Sequence, residues 1–209
     1  LEFDLDSSNV LVDRNADHVL GQTDFYGSDY ATEANRFYYP YSMVFDPASN
    51  RLFAVDYSNR RVLIFDVSVI TDGENAVNVL GQSNFTTRTF ATTQNGIGGP
   101  RGIAYDSTGN RLFVSEYTNS RISIFDLTSV TDGENAVNVL GQSNFTSGST
   151  GTAQNRLKNP QETVYDDATH RLFVADSGNN RVMVFDVAAI TDGENAVNVL
   201  GQTTFTAGS

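Results

Sequence analysis

The sequence predicts an all-β fold assembled from repeated units of 60 residues, and three observations support this prediction. The twelve-residue string TDGENAVNVLGQ occurs three times without change, beginning at Thr71, Thr131 and Thr191. Short runs of β-branched and aromatic residues, broken by Asn, Asp, Gly and Ser, recur at the same spacing and indicate strands and turns. No stretch keeps apolar residues at helical spacing for three turns. A fixed period of this size is typical of propellers and solenoids.

The middle period shows the predicted strands in order. A first strand follows Pro100, and polar turns at 106–110, 116–120 and 132–135 separate it from three more. These turns are rich in Asn, Asp, Gly and Ser, which tolerate unusual backbone angles or form local hydrogen bonds. The four predicted strands span 101–105, 111–115, 121–127 and 136–140. Four antiparallel strands in each period predict one blade of a β-propeller.

The phase of the repeat divides the chain into about three and a half blades of one propeller domain. Residues 1–25 align with the end of a period and predict the two outer strands of an incomplete blade. Residues 26–85, 86–145 and 146–209 predict blades 1, 2 and 3. Closed propellers have four to eight blades, and an open arc exposes strand edges. We therefore expect a piece of a longer array, with two copies that complete a ring as the alternative.

Each blade also carries a motif that resembles the NHL repeat, a β-propeller blade motif. The similar segments are PRGIAYD at 100–106, NRLFV at 110–114 and DSGNNRVMVFD at 176–186. The core pattern Asp-x-x-Asn-x-Arg recurs with one substitution of Glu for Asp. Its members are Asp56, Asn59 and Arg61, then Glu116, Asn119 and Arg121, then Asp176, Asn179 and Arg181. We predict that each arginine pairs with the acidic residue five positions earlier and stabilises the blade.

Positions that differ between blades are free to form a binding site. The innermost strand, which lines the channel of a propeller, begins with Tyr41, Arg101 or Gln161, and Glu162 follows in blade 3. The NHL pattern generally has a small residue where Glu162 stands. A carboxylate near the axis favours a cation or a polar ligand, and a salt bridge between Arg101 and Glu162 is the alternative. The long loops 26–39, 86–99 and 146–159 are further predicted partner contacts, or cover a neighbouring blade.

Composition limits the classes of partner. The chain has 25 acidic and 13 basic residues and a net charge of −12, which disfavours nucleic acid because phosphate binding relies on Lys and Arg. No apolar run is long enough to span a membrane, and the absence of cysteine excludes disulfides. The acidic composition, with Lys158 as the only lysine, predicts a secreted or cell-surface protein. Asn84 and Asn144 begin glycosylation-type sequons on predicted loops.

Enzymes with similar propellers provide the alternative function. Amidating lyases of NHL type hold zinc with histidines, whereas His18 and His170 occupy non-equivalent positions. Lactonase-like propellers bind calcium in the channel, and Glu162 matches one ligand. The repeated Asp-Gly-Glu-Asn string is better explained as a turn than as a calcium loop. We predict a non-catalytic module without a cofactor that binds protein or carbohydrate; the alternative is a metal-dependent lyase or lactonase whose catalytic residues lie partly on missing blades.

Overall fold

The computed structural model describes residues 5, 7, 8 and 15–206. Within this part the chain forms three four-stranded antiparallel sheets, each with its strands in sequence order. The first sheet contains β1 (Pro40–Asp46), β2 (Arg51–Asp56), β3 (Arg61–Asp66) and β4 (Asn78–Leu80). The second contains β5 (Pro100–Asp106), β6 (Arg111–Glu116), β7 (Arg121–Asp126) and β8 (Asn138–Leu140). The third contains β9 (Thr163–Asp166), β10 (Arg171–Asp176), β11 (Arg181–Asp186) and β12 (Asn198–Leu200), with a 3₁₀ turn at Ser177–Asn179.

The predicted all-β propeller architecture is confirmed, and the strands differ from the prediction mainly at their ends. The fourth strand of blade 2 begins at Asn138 rather than at residue 136. Ala136 is lost from the strand because its N–H donates to the carbonyl of Gln94, at 2.9 Å, instead of joining the ladder. Of the segment 1–25, the described residues contain only one β-bridge, at Leu5. The predicted half-blade therefore stays a prediction, and much of it lies outside the described residues.

The hydrophobic core lies between neighbouring blades. Alternate residues of a strand point to opposite faces of its sheet. Phe53 and Val55 of β2 accordingly pack against blade 2, where Leu112 and Val114 belong to the same buried cluster. An equivalent cluster joins blade 2 to blade 3. Burial of apolar surface between sheets, at about 25 cal/mol per Å², is therefore the main force that holds the blades together.

The outward face of blade 1 is apolar and exposed. Met43 and Phe45 are 64% and 46% exposed, whereas Ile103, which corresponds to Met43 in blade 2, is only 5% exposed. A hollow of about 500 Å³, lined largely by apolar side chains, lies on this face. On the far side of blade 3, Leu200 is 51% exposed, although its counterparts in the other blades are fully buried. Both ends of the described arc thus present the chemistry that packs blades together inside it.

The repeated Asp-Gly-Glu-Asn string forms a turn, as expected, and this turn also binds the preceding blade. Oδ1 of Asp132 accepts hydrogen bonds from the backbone N–H of Val79, at 3.1 Å, and from Nδ2 of Asn78, at 3.2 Å. The Gly133 N–H donates to the Val79 carbonyl at 2.9 Å. Gly133 has a φ of 67°, which glycine adopts without steric cost. We call this contact the blade clasp; Asp192 with Val139 and Asp72 with Val19 repeat it.

Candidate functional site

A buried ion pair occupies the turn between the second and third strands of each blade. In blade 2, Arg121 Nε lies 2.7 Å from Glu116 Oε1, and both side chains are fully buried. The remaining guanidinium N–H groups donate to the carbonyls of Thr93, Gly96 and Phe145. The arginine therefore joins its own turn to the loops before and after it. The corresponding pairs are Arg61 with Asp56, at 2.9 Å, and Arg181 with Asp176, at 2.7 Å.

The electrostatics of these pairs suit a structural role. Burial raises the pKa of Asp56, and the hydrogen bonds from Asn59 and the Tyr38 N–H and the charge of Arg61 oppose that rise. Burial likewise lowers the pKa of Arg61, against the attraction of Asp56. Asn59 Nδ2 donates to Asp56 Oδ2 at 2.8 Å, so the carboxylate has several partners. Removal of one member would leave a charge buried without its counterion, which is strongly destabilising.

The residues that vary between blades meet at the end of the channel where the innermost strands begin. The guanidinium carbon of Arg101 lies 3.7 Å from the ring centroid of Tyr117, 5.4 Å from that of Tyr41 and 5.5 Å from that of Tyr57. The rings of Tyr41 and Tyr57 are 5.5 Å apart. Cation–π contacts of this kind contribute about 0.5–2 kcal/mol each, depending on desolvation. We call Arg101 and these three tyrosines the channel-end cluster.

The cluster contains two of the four predicted site residues and two that the sequence analysis missed. Tyr41 and Arg101 stand at the starts of β1 and β5, as predicted from the repeat. Tyr57 and Tyr117 follow β2 and β6, and the third blade has Ser177 at the equivalent place. This difference between blades is the same signal that identified Tyr41 and Arg101. A comparison of the turns as well as the strands would have found both tyrosines.

The other two predicted site residues, Gln161 and Glu162, take no part in the aromatic contacts of the channel-end cluster. Across the described residues, no salt bridge joins Arg101 to Glu162. The alternative interpretation of Glu162 as a partner of Arg101 is therefore wrong. Glu162 is exposed, and its Oε1 accepts a hydrogen bond from the Thr163 N–H at 3.2 Å. The Gln161 carbonyl accepts a hydrogen bond from Ser115, so this residue holds blade 3 against blade 2.

Arg101 has an unused donor within the cluster. Its Nε is buried and has no hydrogen-bond partner among the described residues. An unsatisfied buried donor costs about 1–3 kcal/mol. The guanidinium is thus held in place by aromatic rings while one of its N–H groups lacks an acceptor.

The opposite end of the inner strands carries a second group of titratable residues. The Tyr165 hydroxyl lies 2.8 Å from Nδ1 of His170. Burial, followed by the charge and hydrogen bond of Asp106, raises the pKa of Tyr165 to about 12. Asp106 in turn binds Arg111, with Oδ2 and Nη2 2.5 Å apart. The hydroxyl therefore stays protonated at neutral pH and acts as a hydrogen-bond donor or acceptor, not as a base.

Metal-ligating side chains do not converge in the described part of the chain. Groups of three or more His, Cys, Asp or Glu residues with metal-binding geometry are absent there. His18 contacts Asp72, with Nδ1 and Oδ1 3.2 Å apart, and His170 contacts Tyr165. In the clasps, Asp132 and Asp192 each use Oδ1 to accept a hydrogen bond from a backbone N–H of the neighbouring blade. Nor does any helix within the described ranges have the length and apolar character needed to cross a bilayer.

Comparisons with known proteins agree with the propeller architecture. Comparison with the curated proteins gives no match. Among solved structures, the chain is similar to hydrazine synthase from Kuenenia stuttgartiensis, with a TM-score of 0.51 and 14% identity over 85% of this chain and 38% of that one. A nidogen/laminin complex is also similar, with a TM-score of 0.49 and 16% identity over 81% of this chain and 50% of that one. The chain thus spans half or less of each of these two solved chains.

The family comparison covers most of the sequence. Residues 28–209 match the model of the family described as lactonase, seven-bladed β-propeller. The matched range includes all twelve strands of the three sheets. This chain belongs to the lactonase family of seven-bladed β-propellers.

Proposed function

We propose that this propeller is a binding module that recognises a protein or carbohydrate partner at the channel end. Arg101 is the observation that carries the proposal, because its partly exposed side chain places a guanidinium among three tyrosines at the channel end. Arg and Tyr are also the residues that dominate binding energy in protein interfaces. In this proposal the blades are of the NHL type, and the repeated ion pairs form the scaffold beneath the site.

The loop before β1 extends the same face. Tyr26, Tyr30 and Tyr39 are 97%, 65% and 66% exposed, and the rings of Tyr30 and Tyr38 stack with centroids 4.2 Å apart. The Tyr39 carbonyl accepts a hydrogen bond from the Tyr57 N–H at 3.2 Å, which attaches this loop to the channel-end cluster. Exposed aromatic patches generally mark an interface. The loop thus supports a wide contact surface rather than a single pocket.

A secreted or cell-surface location is part of the proposal. Asn84 and Asn144 are exposed, and each accepts a hydrogen bond from the threonine two residues later. Both sequons are therefore accessible on the surface. No cofactor is required for binding of this kind.

The proposal is tested by probing a glycan array, and a bait experiment on extracellular proteins, with the chain and with Arg101→Gln. This substitution introduces the residue that blade 3 carries at the same position, Gln161, so the fold is expected to be retained. We expect a ligand that binds the parent chain and is bound at least tenfold more weakly by the variant, since a hydrogen bond to a charged group contributes about 1.5–3 kcal/mol. Equal binding by both chains would reject the proposal.

The family match supports a second candidate, a lactonase-like activity that depends on a metal ion. Glu162 is exposed directly before β9, the inner strand of blade 3, where it is able to supply one oxygen ligand, and further blades would have to supply the others. The test is lactone hydrolysis with and without calcium. Calcium-dependent turnover that is lost in Glu162→Gln would favour the enzyme over the binding module.

A further inference from the structure

We propose that a groove between blades 1 and 2 binds a monoanionic ligand whose carboxylate is attached to a ring. The groove has a volume of about 490 Å³, and its lining includes Tyr38, Tyr57, Arg60, Arg88, Phe90 and Thr118. We call it the cationic groove. It lies beside the channel-end cluster, because Tyr57 belongs to both. The inference rests on the proposed function only in placing recognition at this end of the propeller, and it adds a separate site and a ligand class.

The charge of the groove is unusual for this chain. In a protein with a net charge of −12, Arg60 and Arg88 both line one groove. Neither arginine takes part in a salt bridge within the described residues. Arg60 Nη1 donates to the Arg88 carbonyl at 2.9 Å, so one guanidinium is tethered close to the backbone of the other. Two arginines that line one groove without a carboxylate partner favour an anion, and the planar donor pair of a guanidinium matches a carboxylate.

The repeat shows that the blade does not need these arginines. The residues equivalent to Arg60 are Ser120 and Asn180, and the residues equivalent to Arg88 are Ser28 and Gly148. Both positive charges are therefore specific to this junction. By contrast, Arg51 and Arg61 recur in every blade as parts of the scaffold.

Arg60 also has a strained backbone. Its φ is 56°, and Asn180 has a φ of 52° at the equivalent position. Non-glycine residues are uncommon in this left-handed region, and Asn is several-fold enriched there while long side chains are not. Ser120 has a φ of 51° at the same position in blade 2, so this backbone conformation belongs to the repeat, and the arginine side chain is what distinguishes this junction.

The walls and the size of the groove define the rest of the ligand. Tyr57 and Phe90 contribute aromatic surface, and Phe90 is 49% exposed. Aromatic side chains present a large flat apolar surface, which suits a ring. The volume lies within the roughly 300–1,000 Å³ usual for small-molecule sites. A polyanion is disfavoured by the strongly negative field of the whole protein, so a single carboxylate is the best match.

The experiment measures binding of two acids to the 209-residue chain, glucuronate for a sugar ring and benzoate for an aromatic ring. Calorimetry is combined with saturation-transfer NMR, which detects millimolar affinities. Glucose and benzyl alcohol serve as uncharged analogues. We expect at least one acid to bind, its uncharged analogue to bind at least tenfold more weakly, and affinity to fall as sodium chloride is raised. Whichever acid binds identifies the ring class.

Variants locate the site. Arg60→Asn and Arg88→Gly introduce residues that the repeat already carries at these positions, so folding, checked by circular dichroism, is expected to be preserved. Each should weaken the acid at least tenfold, as expected for a lost charge-assisted hydrogen bond. Lys158→Gln, which makes the same change of net charge outside the groove lining, should have no effect.

The proposal is overturned if neither acid binds, if the uncharged analogues bind equally well, or if Arg60→Asn and Arg88→Gly bind like the parent chain. Its failure is distinguishable from failure of the channel-end proposal. Arg101→Gln tests partner binding at the cluster, whereas the acids and the Arg60 and Arg88 variants test only the groove.

Discussion

The junction of blades 1 and 2 and the junction of blades 2 and 3 share a scaffold and differ in their exposed chemistry. Both are packed by equivalent buried clusters and closed by the same clasp. At the channel end, however, the first junction holds Arg101 among tyrosines, while the second has Gln161 and Ser177 at the equivalent positions. Stability and recognition therefore use different residues, and the recognition residues change without altering the blade.

The largest expected effect on stability comes from removing a buried ion pair of the shared scaffold. Arg121→Ala should leave Glu116, which is fully buried with it, without its counterion, and lower the free energy of unfolding by about 3–5 kcal/mol. Urea unfolding followed by circular dichroism measures this loss. Arg88→Gly is the control, because surface changes are usually within about 0.5 kcal/mol. Similar stabilities for the two variants would show that the ion pair is not part of the scaffold.

The next prediction tests whether the two junctions are closed in the same way. Asp132→Ala and Asp192→Ala each remove an acceptor for a backbone N–H of the preceding blade, at 3.1 Å for Val79 and 3.0 Å for Val139. Each should destabilise the chain by about 1–3 kcal/mol, with similar values for the two. A difference of more than about 1 kcal/mol between them, on that same scale, would mean that the junctions are not equivalent.

A smaller effect concerns pH. Burial tends to raise the pKa of Asp106, but hydrogen bonds from the Gly109 N–H and from Arg111, together with the charge of Arg111, outweigh it and lower this pKa. Stability from Asp106 is therefore present above the pKa of the unfolded chain, about 3.9, and is lost as the pH falls towards the folded value. Asp106→Asn should make unfolding less dependent on pH below about 4.

Thermal unfolding from pH 6 to pH 3 measures the dependence on Asp106. In the loop after Asp106, the Thr108 hydroxyl donates to Asp167 of blade 3 at 3.1 Å. Thr108→Ala leaves the carboxylate and is the control. An unchanged acid response in Asp106→Asn would contradict the predicted direction.

The smallest expected effect on stability lies in the channel-end cluster. Arg101→Gln should change the free energy of unfolding by less than about 2 kcal/mol, since it removes cation–π contacts but also a buried unpartnered donor. The reverse exchange, Gln161→Arg, places the cation where Ser177 replaces tyrosine. We expect it not to create a second binding site. If Gln161→Arg bound two ligand molecules for each chain, the arginine alone would be sufficient to form a binding site.

The sequence was enough to predict the sheets because strand alternation and the period of 60 residues are local properties. The ion pairs were also predictable, since Arg61 and Asp56 lie five positions apart across one turn. The contacts of Arg101 with Tyr57 were missed because they join two blades, and spacing along the chain does not report which turn meets which strand. The clasp was recognised only as a turn for the same reason: its acceptor and donor, Asp132 and Val79, are 53 positions apart.

The clasp also makes the array directional. Each unit carries the turn that holds the outermost strand of the unit before it, since Asp132 accepts from Val79 and Asp192 accepts from Val139. A duplicated unit of this kind already contains the clasp residues, so it needs no new contact at the junction with the next blade. Each of the three identical copies of TDGENAVNVLGQ contains both the aspartate that accepts and the valine whose N–H donates, so a duplicated unit is compatible with its neighbours on either side.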